Sequence, residues 1–85
     1  MNVYKKAIEK WGAVAQIFTF YEEIGELMTA INHYKRDRIS KECLASEFAD
    51  VTIMLEQMLI LFDLTDMVKE AKDFKLKRLE ALLNG

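Results

Sequence analysis

The chain has 85 residues, 52% of them apolar, and a formal net charge of −2. That length implies one domain over residues 1–85 and a core that is marginal for a free-standing monomer. With Lys and Arg spread along the chain and no basic excess, a nucleic-acid partner is not expected. The longest apolar stretch, Met58 to Phe62, is far too short to span a membrane, so no membrane partner is expected either.

Cys43 is the single cysteine, which rules out an intrachain disulfide and points to a reducing, cytoplasmic setting. No signal peptide is recognisable at the N-terminus. Proline is absent and only three glycines occur, Gly12, Gly25 and Gly85, so strands and tight hairpins have little support.

Four helices are the economical reading. The first runs from about Val3 to Trp11 and stops at Gly12, where a helix C-terminus is easily accommodated. The second runs from about Ala13 to Lys35, with an apolar stripe of Val14, Ile17, Phe18, Tyr21, Ile24, Met28 and Ile31 at spacings of three and four. The polar run Lys35-Arg36-Asp37-Arg38 ends that pattern. Ser40 is suited to cap a third helix, with Glu42 in its first turn. This helix carries Leu44, Phe48, Val51, Leu55, Met58 and Phe62 on one stripe and Ile53, Met54, Ile60 and Leu61 off it. A helix apolar on several sides is buried on several sides, which makes it central or places it against another subunit. Asp63 and Thr65 are both candidate caps for a fourth helix, which carries Met67, Val68, Ala71, Phe74, Leu76, Leu79 and Leu82 and stops at Asn84-Gly85. Short connections make successive helices antiparallel neighbours, so the middle of the second helix faces the middle of the third. The expected fold is an all-α four-helix bundle that oligomerises to cover its surplus apolar surface.

Carboxylates are distributed in a pattern with chemical content. Glu23 and Glu26 are three apart on the second helix and share a face; Glu47 and Asp50 have the same spacing on the third. Each pair borders an apolar stripe: Glu23 adjoins Ile24 and Leu27, and Glu47 and Asp50 flank Phe48 and Val51. Acidic residues on solvated helix faces explain either pair alone. Two pairs meeting across a helix interface would repel, and a divalent cation would relieve the repulsion. Oxygen-only ligands suit Mg²⁺, Mn²⁺ or Ca²⁺. A Glu-x-x-His di-iron pattern is missing, since Ala30 stands three residues before His33, and one Cys with one His serve zinc poorly. A glycine inside a helix costs about 1 kcal/mol against alanine, so Gly25 suggests close approach by a neighbouring helix or a ligand.

Glu22, Glu23 and Glu26, followed about twenty residues on by Glu47 and Asp50, resemble the motif of the MazG-type all-α nucleoside triphosphate pyrophosphohydrolases. Lys10-Trp11-Gly12 with Gln16, Glu23-Ile24-Gly25-Glu26-Leu27, and Phe74-Lys75-Leu76-Lys77-Arg78-Leu79 carry the resemblance through the rest of the chain. It implies hydrolysis of a nucleoside triphosphate to the monophosphate and pyrophosphate. It also implies Mg²⁺ (or Mn²⁺) held by Glu23, Glu26, Glu47 and Asp50, with Glu22 supporting the site or positioning water. Assembly as a homodimer or homotetramer is implied as well. The last helix departs from the family by lacking the asparagine that often helps bind substrate there.

Outside the motif, Trp11 is a candidate to stack on a base, and Lys72, Lys75 and Arg78 are candidates to meet a triphosphate. Packing beside the second helix is the plainer explanation of Trp11, and a solvated helix face explains the three cations equally well. Cys43 reads as a small half-buried thiol. The competing readings of the whole chain are a non-catalytic helical oligomerisation module and a nucleotide-binding module, with the carboxylates as a structural metal site.

Overall fold

A computed structural model of the chain describes residues 2–85. Its elements are four helices: α1 (Val3–Trp11), α2 (Ala13–Lys35), α3 (Lys41–Leu61) and α4 (Thr65–Asn84). No strand occurs among the described residues. The helix boundaries follow from local chemistry. Asn2 caps α1, its side-chain oxygen accepting from the backbone N–H of Tyr4 at 2.9 Å and of Lys5 at 3.3 Å. Gly12 ends α1 at φ 88°, a conformation L side chains avoid, and its carbonyl at once accepts the first bond of α2, from Gln16. Ser40 caps α3 by accepting from the N–H of Cys43 at 3.1 Å, as its place in the sequence suggests.

The other two junctions share one device. Asp37 (φ 58°) and Asp63 (φ 54°) are both left-handed. After α2, the N–H of Arg38 reaches the carbonyl of His33 and that of Asp37 reaches Tyr34; after α3, Leu64 reaches Leu59 and Asp63 reaches Ile60. Each helix thus closes with the double bond of a Schellman motif, with a short polar Asp in place of the usual glycine. Asp63 therefore finishes α3 and does not cap α4. The cap position of α4 is Leu64, which offers no side-chain bond, and Thr65 is the helix's first residue.

The antiparallel pair α2–α3 forms the main interface, and α1 lies against both. Helix α4 touches the rest of the chain only through α3, and every one of its residues is exposed. The resulting body measures 49 × 38 × 21 Å with a radius of gyration of 16.0 Å, whereas a compact domain of this length has about 12 Å.

The core is correspondingly thin: Ala30, Met54 and Met58, with Gln16 and Gln57. The apolar stripe expected to bury α2 faces the other way. Val14 is 68% exposed and Phe18, Tyr21 and Met28 are each 59% exposed. What α2 turns toward α3 includes Gln16, Phe20, Glu23, Leu27 and Ala30, at alternating spacings of four and three. On α3 the stripe residues Phe48, Leu55 and Phe62 are exposed, while off-stripe Met54 is buried. Both helices are apolar on more than one side, and the chain covers only one of those sides.

Unsatisfied apolar surface on α2, α3 and α4 sets a clear expectation in solution. At micromolar concentration, light scattering coupled to size exclusion should return a dimer or larger assembly, and Phe18→Lys combined with Phe48→Lys should dissociate it. A stable, folded wild-type monomer would contradict this.

Candidate metal centre

The α2–α3 contact brings the acidic residues of the two helices together. One carboxylate oxygen from each of Glu23, Glu26 and Glu47 lies within 4.8 Å of the others. Glu23 and Glu47 are half-buried, and Glu26 is exposed at the rim. The Oε2 atoms of Glu23 and Glu47 are both sheltered from solvent and lack any hydrogen-bond partner. Asp50 is half-buried on the same side of α3, one turn beyond Glu47 and outside the three-oxygen cluster. The Glu23 carboxyl is held above its ordinary value of 4.5, chiefly by its sheltered position, then by the charges of Glu26, Asp50, Glu47 and Glu22.

Two unit charges 4 Å apart interact by about 1 kcal/mol in water and about 4 kcal/mol at the effective dielectric near a protein surface. Three carboxylates at this separation, two with a sheltered oxygen, therefore favour either a proton or a cation between them. The donor set is hard oxygen only, which fits Mg²⁺, Mn²⁺ or Ca²⁺.

Beside the cluster runs an open groove of about 690 Å³, lined by Glu22, Gly25, Glu26, Thr29, Ala30, His33, Ile39, Cys43 and Glu47. No Lys or Arg is among the lining residues. Glu22 stands on its exposed edge. Gly25 opens onto it: a Cβ at this position would meet nothing within 4 Å, so no neighbouring helix of this chain demands the glycine. Thr29 and His33 follow Glu22 and Glu26 at spacings of three and four, and Cys43 precedes Glu47 by one turn. The helical repeat alone places all three on the carboxylate face, as the position of Cys43 one turn before Glu47 already indicates. Cys43 is exposed, not half-buried.

The remaining candidates lie elsewhere in the chain. Trp11 is exposed, with the Lys10 Nζ 5.2 Å from its ring centre, and borders a separate depression with Gln16, Thr19, Met54 and Gln57. Lys72 and Lys75 flank a shallow apolar trough on α4, and Arg78 is exposed on the same helix. None of the four lines the carboxylate groove. No family model, curated protein or solved structure matches the chain.

Two consequences are measurable. Between 4.5 and its raised folded value, Glu23 in the metal-free protein keeps a proton that the unfolded chain releases. Its contribution to stability is complete below 4.5 and is lost as pH rises through the folded value. In chelator, Glu23→Gln should therefore gain melting temperature relative to wild type as pH rises from 4.5 to neutrality; parallel curves for the two proteins would show that Glu23 is not strained. Gly25→Ala meets no atom and should stabilise the helix by about 1 kcal/mol in denaturant titrations. A loss of that size would mean that this position is covered in the assembled protein.

Proposed function

We propose that this chain is a Mg²⁺-dependent nucleoside triphosphate pyrophosphohydrolase of the MazG-like all-α kind, acting in the cytoplasm as a homodimer or homotetramer. The observation that carries the reading is the carboxylate cluster across α2 and α3, with two sheltered oxygens that have no partner among the described residues. Buried polar atoms of native proteins are almost always satisfied, so two orphaned carboxylate oxygens on residues of one acidic cluster speak for a cation.

Glu23, Glu26 and Glu47, with Asp50 beside them, are the residues to hold the ion. A divalent ion bound there supplies neutralising charge and Lewis acidity at phosphate oxygens. Glu22 stays free of the cluster on the edge of the groove and is the carboxylate positioned to orient water. The groove itself repels a bare triphosphate, because its lining contributes acids and no Lys or Arg. Nucleotide binding by this chain is therefore strictly metal-dependent. Trp11, Lys72, Lys75 and Arg78 reach substrate only if a second copy supplies them.

Covalent routes find little support: Cys43 is a lone exposed thiol, and the chain has no Gly-x-x-x-x-Gly-Lys loop of the kind that cradles β- and γ-phosphates for terminal transfer. Water attack at the α-phosphorus, releasing pyrophosphate, is the reaction that hard carboxylates on rigid helices suit best.

A pyrophosphate-release screen over ribo- and deoxyribonucleoside triphosphates with Mg²⁺ or Mn²⁺ tests this directly. In ¹⁸O-water the label should enter the monophosphate, and chelator should abolish both turnover and nucleotide binding. Asp50→Asn should lower kcat by about a hundredfold or more, since losing a ligand exceeds the usual effect of losing its supports. Label in pyrophosphate would move the attack to the β-phosphorus; no turnover of any triphosphate would leave a non-catalytic module.

A further inference from the structure

The buried polar side chains outside the carboxylates are Gln16 on α2, 7% exposed, and Gln57 on α3, 3% exposed. They meet each other: the Gln57 Nε2 donates to the Gln16 Oε1 across the helix interface. Around them the interface is apolar and adaptable. Met54 and Met58 are its buried side chains on α3, and methionine fits many surroundings. Because α3 is apolar on several sides, sliding it by a turn exchanges one apolar contact for another at little cost. The amide pair is different in kind. A slip would leave two buried amides without partners, and an unpaired buried polar group bears the full cost of its desolvation.

The same pair sets what lies further along the helices. In the antiparallel register that joins Gln16 to Gln57, Glu23 falls opposite Asp50 and Glu26 opposite Glu47. A one-turn slip would carry these carboxylates past each other by about 5.4 Å and leave at most one acid of each helix facing one of the other. The cluster does not hold itself together: without a cation, carboxylate oxygens of Glu23, Glu26 and Glu47 within 4.8 Å of one another repel. Something other than the acids must therefore keep the helices in the one register in which the acids meet.

We propose that the Gln16–Gln57 amide pair is this register lock, and that both glutamines are positioning residues for the carboxylate cluster. The effect on metal binding rests on the reading of the cluster given above; the lock itself does not. Polar pairs buried in helix interfaces are well attested as devices that select one register among several of similar apolar stability.

The test uses Gln16→Met with Gln57→Met, which keeps volume and removes the amides. Spin labels at the exposed positions 35 and 52, which lie well apart along the helix axes, in a Cys43→Ser background diluted with unlabelled chain, report the register with no metal present. The parent should give one narrow distance distribution. The double variant should stay helical yet give a broadened or second population displaced by about one turn, roughly 5 Å. Its Mn²⁺ affinity should fall about tenfold or more. Either single Met variant should melt below the double, because it strands one amide. A double variant that keeps the single native distribution overturns the lock. A slipped register with undiminished Mn²⁺ affinity refutes the positioning role and the cluster reading together, and an intact register with no Mn²⁺ binding in the parent refutes the cluster reading alone. Should the double variant lose helicity, Gln16→Asn serves instead: its amide, one methylene shorter, falls short of Gln57, with the same distance outcomes for and against.

Discussion

The contact between α2 and α3 bears most of what can be said of this protein. It supplies the few buried side chains, it carries the buried amide pair, and it gathers carboxylates from two helices into one place. These roles pull in opposite directions. Apolar burial and the amide bond draw the helices together; the acids push them apart. A structure that tolerates such opposition in the middle of its main interface is spending stability on a site, and functional sites are where local rules of folding are most often broken.

The thinness of the single chain belongs to the same picture. An 85-residue chain with three buried apolar side chains among its described residues and an α4 exposed along its whole length has little to set against the entropy of folding. The aromatic and aliphatic residues on the outer faces of α2 and α3 remain as surface for association. A second copy would bury those faces and leave the carboxylate groove, which opens beside Glu22, Gly25 and Glu26, as a feature of the α2–α3 seam.

Within the groove, charge and shape make separate contributions. The acids at one end, without Lys or Arg in the lining, disfavour bare anions. Toward the other end the lining turns to Thr29, Ala30, His33, Ile39 and Cys43, a mixed surface of small, polar and apolar groups. Gly25 leaves the space beside the acids open, since no side chain projects there.

Much of this was present in the residue order. The four helices, the stop at Gly12 and the Ser40 cap follow from local chemistry, which acts over a few residues and is written in them directly. The two acidic pairs were legible as well, because an i, i+3 spacing places side chains on one helix face whatever surrounds it. What only tertiary structure decided is which face of each helix turns inward. The stripe through Val14, Phe18, Tyr21 and Met28 is the more apolar one, yet α2 packs through Gln16, Glu23 and Ala30. Periodicity reports that a face will be covered; it carries no information on whether the cover is the same chain or another molecule. Asp63 makes the point on a smaller scale: an Asp before a helix can cap it or end the helix before, and the left-handed backbone that ends α3 arises from the path the chain takes between two packed elements.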